Sequence, residues 1–119
     1  PLFVAAQNGH VDAVRVLVEA GADIDKPTNS GATPLFAAAW NGHFDVVRVL
    51  VEAGSDMNRA NNTGATPLLV AAQNGRMNVI RFLVEAGTDM NLAANDSRTP
   101  LFEAARHGHV EMVRCLVEA

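Results

Sequence analysis

Apolar residues recur along this chain in short blocks that are separated by polar segments containing glycine. In the stretch 34–54, "PLFAAAWNGHFDVVRVLVEAG", a short alanine-rich block ends at Gly42 and a longer block of valine and leucine ends at Gly54. Glycine readily adopts the left-handed conformation that ends many helices. The pattern therefore predicts a short helix that runs to about Asn41, a turn, and a second helix.

Each helix has a recognisable start. Thr33 is a good N-cap, since its hydroxyl can accept a hydrogen bond from the first turn. Pro34 then occupies the first helical position, where its missing N–H is not needed. The second helix is predicted to start around Asp45, whose charge suits a helix N-terminus, and to stop at Gly54.

The second helices are too apolar to fold alone. In "HVDAVRVLVEAG" an apolar stripe of Val11, Val14, Leu17 and Val18 is widened by Val16. A helix that is apolar around most of its circumference is buried on more than one side. Each helix pair is therefore expected to pack against the pairs before and after it.

The helix pairs repeat at a fixed interval. Thr-Pro-Leu occurs at 33–35, 66–68 and 99–101, so the period is 33 residues, and the first two units agree at about two-thirds of positions. A period of this length indicates a stacked array. The fold class predicted is all-α, a single domain over residues 1–119 with repeats at about 1–33, 34–66, 67–99 and a partial 100–119.

The segments between helix pairs carry turn residues. "SDMNRANNTGAT" (55–66) is rich in Asn, Asp, Thr and Gly, which predicts projecting hairpin-like loops rather than full strands. Gly31 and Gly64 supply positive φ, and Ser97 replaces them in the third loop. A non-glycine residue there costs on the order of 1 kcal/mol, so we expect the last hairpin to be distorted.

The stretch "GATPLFAAAWNGHFDVVRVLVEAGSDMN" resembles the ankyrin repeat over its 33-residue pattern, and the resemblance covers the whole chain. It implies stacked L-shaped helix pairs whose first helices and hairpin tips line a concave surface that usually binds other proteins. The histidine that usually follows Thr-Pro-Leu in the family is replaced here, which substitutes apolar packing for a polar contact. The replacing residues are Phe3, Phe36, Leu69 and Phe102.

Charge and composition narrow the class of partner. The net charge is −4 and the pI near 5.4, which argues against nucleic acid as the main partner. The sequence contains no run of apolar residues long enough to insert into a membrane. Cys115 is the only cysteine and no signal-peptide pattern is present, so we expect a cytoplasmic or otherwise intracellular location.

Candidates for chemistry are few. The sequence has no nucleophile–base pair and no phosphate loop, so we expect no catalytic residues and no cofactor. His107, His109 and Cys115 resemble a set of metal ligands. However, Gly108 is expected to end a helix, and histidine recurs where a turn-stabilising residue is expected, so no metal is predicted. Arginine and glutamate recur four residues apart in the second helices, and we interpret them as weak surface ion pairs.

Two hairpin asparagines have a possible modification context. Asn58 and Asn91 each follow a leucine by eight residues and an aspartate by two. This resembles the context in which ankyrin asparagines are hydroxylated in animals, while Asp25 takes the equivalent position in the first unit. The alternative is that these asparagines stabilise the turn.

The varying positions are the candidates for partner binding. Gln7, Trp40, Gln73 and Arg106 are equivalent in the four units, so this position is expected to be exposed. Trp40 is then an interface anchor, since tryptophan and arginine dominate binding hot spots. The full set of partner-binding candidates is Trp40, Asn41, Phe36, Gln7, Asn8, Gln73, Asn74, Arg106, His107, Lys26, Arg59, Asn62 and Arg98, with Phe36 expected to extend the Trp40 patch.

The function predicted is a non-catalytic protein–protein interaction module. The alternatives are a structural spacer, a consensus-like or designed array without a specific partner, and a regulatory segment of a larger enzyme. We expect a monomer, with end-to-end self-association through terminal repeats that have no polar cap.

Overall fold

The computed structural model describes residues 1–118, and within that range the chain forms eight helices in four pairs. Ala119, the last residue of the predicted domain, lies outside the described residues. The helices are α1 Leu2–Gln7, α2 Val11–Glu19, α3 Pro34–Asn41, α4 Phe44–Glu52, α5 Pro67–Gln73, α6 Met77–Glu85, α7 Pro100–Arg106 and α8 Val110–Glu118.

The pairs stack in chain order into an elongated body of 40 × 25 × 21 Å. Each of the first helices (α1, α3, α5, α7) packs against the next first helix, and each of the second helices (α2, α4, α6, α8) packs against the next second helix. No strand is formed within residues 1–118, so the hairpin-like loops are confirmed. The predicted all-α stack of helix–turn–helix units is also confirmed.

The predicted caps explain where the first helices begin. The hydroxyls of Thr33 and Thr66 accept hydrogen bonds from the N–H groups of Phe36 and Leu69, each at 3.2 Å, and a proline follows each threonine. Thr99 repeats this arrangement. The second helix of the second repeat starts at Phe44, one residue before the predicted Asp45. It ends at Glu52, and Gly54 follows with a φ of 97°, so the predicted glycine stop is confirmed.

The core runs continuously through the stack. Leu35, Leu68, Leu50 and Leu83 are fully buried, and alanines such as Ala38 let neighbouring first helices approach closely. The prediction that the second helices are buried on more than one side is confirmed for α4 and α6 and wrong for α2 and α8. Each of these two has a neighbouring second helix on one side only, which leaves apolar side chains exposed, among them Val16, Val110 and Val117.

The expected distortion of the third hairpin is wrong. Ser97 has a φ of 72°, and its N–H donates to the Ala94 carbonyl at 2.9 Å, as Gly64 does to Asn61 at 3.0 Å. A Cβ on Gly64 would lie 2.9 Å from the backbone nitrogen of Asn95, because the next hairpin packs there. Within residues 1–118 no further hairpin packs on Ser97, so its side chain has room.

Candidate functional site

Trp40 lies in the last turn of α3, and 46% of its surface is exposed. The polar residues at the equivalent positions predicted this exposure. Its ring centroid lies 6.1 Å from that of Phe36, with the two rings tilted by 31°. The indole is therefore supported from one side by Phe36 and faces solvent on the other.

A shallow groove of about 240 Å³ runs beside Trp40 between α1 and α3. It exists because small side chains occupy positions where a larger residue would fill the gap. Its lining residues are Phe3, Gln7, Ala32, Phe36, Ala37, Trp40 and Asn41. The expectation that Phe36 extends the exposed patch is wrong, because Phe36 is only 7% exposed and the neighbouring helix covers it.

Two of the predicted asparagines bind neighbouring repeats together. The Asn41 side-chain amide donates to the carbonyl of Gln7 at 3.2 Å, and that of Asn74 donates to the carbonyl of Trp40 at 3.2 Å. Asn8 and His107 occupy the equivalent positions in the outer repeats and are exposed, as are Gln7 and Arg106. The asparagine position thus has a structural use in the middle of the stack.

In the two middle repeats, the residue after the stopping glycine supports the same carbonyls. His43 Nε2 donates to the Gln7 carbonyl at 3.0 Å, and Arg76 Nε donates to the Trp40 carbonyl at 3.3 Å. His43 packs over Gly9 and Arg76 over Gly42, where a Cβ would meet each side chain at under 3 Å. Arg76 therefore lies beside Trp40, and the sequence-based list did not include it. The signal was an arginine at a position that is otherwise histidine.

The hairpins are joined by a ladder of hydrogen bonds. The N–H of Asn62 donates to the Ser30 carbonyl at 2.9 Å, and the Asn62 amide group donates to the Asn29 carbonyl at 2.9 Å. Asn95 repeats both bonds with the second hairpin. The amide of Asn62, a predicted binding residue, is therefore already engaged. Lys26 and Arg59 are exposed in the first two hairpins.

Arg98 belongs to a partly buried charge cluster. Its guanidinium contacts Asp96 Oδ2 at 2.6 Å and Glu103 Oε1 at 3.2 Å, while Arg106 lies 3.8 Å from the same glutamate oxygen. The hydrogen bond from Arg98 lowers the pKa of Asp96, and the same contact raises the pKa of Arg98. His107 Nε2 lies 3.2 Å from Glu103 Oε2 but is not aligned for a hydrogen bond.

Glu103 is fully buried and was not among the predicted site residues. Its equivalents in the two middle repeats are Ala37 and Val70, and those of Arg98 are Ala32 and Ala65, all of them buried. In α7 and the segment that leads into it, an ion pair has therefore replaced two small buried side chains. An acid at a position that is otherwise apolar was the available signal.

The two possible modification sites differ in their surroundings. Asn58 Oδ1 accepts hydrogen bonds from the Thr88 hydroxyl at 2.9 Å and the Asp89 N–H at 2.8 Å, and Asp25 binds Ser55 and Asp56 in the same way. The oxygen of Asn58 thus stabilises the turn between repeats. Asn91 is exposed, with its N–H bonded to Asp89. Hydroxylation remains a prediction for both.

The surface ion pairs form only in part. Arg48 contacts Glu52 at 3.7 Å and Arg114 contacts Glu118 at 4.0 Å, as the spacing predicts. The other two arginines contact different carboxylates: Arg15 contacts Asp12, and Arg81 contacts Glu111 in the next repeat. These contacts lie on the exposed surface of the second helices.

Within residues 1–118, no three or more His, Cys, Asp or Glu side chains are grouped so that they could hold a metal ion. The His107 and His109 rings are 5.8 Å apart, and Cys115 lies on α8, where burial raises the pKa of its thiol. No helix in the described part of the chain has the length and apolar character to cross a bilayer.

Stacked helix–turn–helix units with projecting loops define a helical repeat solenoid. A family model described as "Ankyrin repeats (3 copies)" matches residues 1–61 and 53–119. The chain belongs to the ankyrin repeat family, which confirms the resemblance. A search of the curated proteins found no match. Ankyrin repeats are generally protein–protein interaction modules and are typically non-catalytic.

Proposed function

We propose that this chain is a non-catalytic module that binds a protein partner on its first-helix face. By this we mean the exposed side chains of α1, α3, α5 and α7, the turns that follow them and the adjoining hairpins. This face is the concave one in the ankyrin family. The observation that carries the proposal is the exposed Trp40 beside the groove between α1 and α3.

The geometry around Trp40 suits an anchor. Its ring is held against Phe36, and the backbone carbonyl of Trp40 accepts hydrogen bonds from Asn74 and Arg76 of the next repeat. An aromatic side chain held in place in this way loses little conformational entropy when a partner covers it. Anchors of this kind are typical of binding hot spots.

The first test is a capture experiment from extract of the source cells. The wild-type chain is compared with Trp40→Ala and with Val16→Ala, which truncates an exposed apolar residue on a second helix. We expect a protein that is captured by the wild type and Val16→Ala and lost with Trp40→Ala. Equal capture by all three chains contradicts the proposed site, and capture of nothing by any of them favours a structural spacer.

Folding must be matched before the comparison is made. Trp40 is exposed, so its truncation leaves the fully buried core residues in place. Helical circular dichroism and the thermal midpoint should therefore be nearly unchanged in both variants. A large loss of helix in Trp40→Ala would show that the indole stabilises the stack instead.

A further inference from the structure

Charge is unevenly distributed between the two sides of the stack. Across α2, α4, α6 and α8, seven carboxylates stand against four arginines, which gives these helices a net charge of −3. The rest of the chain holds five basic residues and six carboxylates, a net charge of −1. Those five residues are Lys26, Arg59, Arg76, Arg98 and Arg106.

The carboxylates near these basic residues are already engaged. Asp23, Asp56 and Asp89 each accept a hydrogen bond from the backbone N–H two residues later. Asp25 binds the next repeat, and Asp96 and Glu103 pair with Arg98. Within residues 1–118, no ion pair is formed by Lys26, Arg59 or Arg76. The first-helix face therefore presents cations whose charge no ion pair neutralises.

Arg76 brings one of these cations to Trp40. Its Nε donates to the Trp40 carbonyl at 3.3 Å, and its side chain lies along Gly42, so the guanidinium is held at the C-terminal end of α3. The terminal nitrogens of the guanidinium make no hydrogen bond within residues 1–118. A charge held by one hydrogen bond and free at its outer nitrogens can accept a carboxylate without reorganising.

We infer that the partner is an acidic peptide segment in which a bulky apolar side chain fills the Trp40 groove and a nearby carboxylate binds Arg76. A second carboxylate binds the exposed side of Arg106, which also lies 3.8 Å from Glu103 Oε1. This inference rests on the proposed function and names the chemistry of its partner. Alanines at 32 and 37 make room for the apolar side chain, and complementary charge fixes the register of the segment.

The repeat geometry sets the spacing in the peptide. Arg106 is the last residue of α7, which lies two first helices beyond α3, and packed helices are separated by about 8–10 Å. Arg76 instead reaches back to the end of α3, where its Nε binds the Trp40 carbonyl. An extended chain advances about 3.3 Å per residue, so the acidic residue that binds Arg106 falls roughly six residues from the anchor. In a helical segment, at about 1.5 Å per residue, it falls roughly twelve residues away.

The first experiment selects random displayed dodecapeptides on the immobilised chain at low salt, with a parallel selection on Trp40→Ala. We expect the wild type alone to enrich peptides that combine a bulky apolar residue with aspartate or glutamate. Trp40-dependent peptides that are neutral or basic overturn this inference and leave the proposed function standing. Absence of any Trp40-dependent peptide overturns both.

An enriched peptide then serves as the probe for affinity. Trp40 is the only tryptophan and the chain has no tyrosine, so tryptophan emission reports directly on the groove. We expect Trp40→Ala, followed with a labelled peptide, to weaken binding about 30-fold or more, as hot-spot truncations do. If a single-stranded oligouridylate shifts the emission and the peptide does not, the partner is nucleic acid and the inference fails.

The role of charge is tested with Arg76→His. His43 makes the equivalent carbonyl bond over Gly9, so histidine fits this position. The introduced histidine is neutral at pH about 8, because the ordinary pKa of histidine is about 6.5. We expect peptide binding to weaken about three- to five-fold at low salt, with the difference shrinking as salt screens the charge. Arg48→His makes the same charge change on a second helix and should leave binding unchanged. An equal effect of both variants overturns the inference.

Discussion

Trp40 shows how much one residue can reveal when its equivalents in other repeats are known. Its exposure follows from Gln7, Gln73 and Arg106, because a position that accepts glutamine and arginine cannot be core. Phe36 had only apolar equivalents, which fit a buried and a partly exposed position equally well. Its burial depends on how closely the neighbouring helix approaches, and no single residue encodes that distance.

Ser97 is the one non-glycine residue with positive φ in the described part of the chain. We expect Ser97→Gly to raise the free energy of unfolding by about 0.5–1 kcal/mol, because glycine relieves the strain of the left-handed conformation at some entropic cost. Urea denaturation measures the change. Ser30→Gly, in the first hairpin, should give no gain, since Ser30 does not have positive φ. Equal stabilisation by both variants would contradict the argument.

The Arg98–Glu103 pair is testable because the equivalent positions in and before α5 supply its apolar replacement. Arg98→Ala alone leaves a fully buried carboxylate with weaker partners, and we expect a loss of about 2–4 kcal/mol. The double variant Arg98→Ala, Glu103→Val copies Ala65 and Val70 and should be close to wild type or more stable. Chemical denaturation of the wild type, both single variants and the double variant measures their free energies of unfolding and completes a double-mutant cycle. A double variant less stable than Arg98→Ala would show that Glu103 has other support.

At the scale of elements, the sequence predicted the helices well because each signal is local. Threonine caps, proline at the first position and glycine stops all act within one turn, and the first helices begin where predicted. Contacts between repeats were harder to predict. Asn41 and Asn74 were expected to contact a partner, yet they bind the preceding repeat. This contact was not predicted because the carbonyl that each side chain reaches is 34 residues away in sequence.

The interface between the third and fourth repeats lacks these bonds. His107 replaces the asparagine, and within residues 1–118 neither His107 nor His109 bonds to the Gln73 carbonyl. We therefore expect α7 and α8 to exchange amide hydrogens faster than α3 to α6. His107→Asn should restore the bond, slow exchange in α7 and add about 1 kcal/mol of stability. Uniform exchange rates along the stack would count against this prediction.

At the scale of the whole molecule, the first and last second helices, α2 and α8, each expose the surface that packs between repeats elsewhere in the stack. Phe44 of the second repeat packs edge-on against Phe82 of the third, with ring centroids 5.7 Å apart. Val110 and Val16 occupy these two positions in the fourth and first repeats, where they are 65% and 64% exposed. A second copy could therefore stack head to tail by repeating an internal contact, and such a heterologous contact does not close on itself.

We accordingly expect the 119-residue chain to be monomeric when dilute and to form linear oligomers when concentrated, as measured by sedimentation velocity. Val16→Lys and Val110→Glu should each suppress association, because each places an unpaired charge against valine. A mixture of the two variants should associate again, since lysine then faces glutamate at one contact and valine faces valine at the next. This rescue separates head-to-tail stacking from non-specific aggregation, which would not depend on which faces meet.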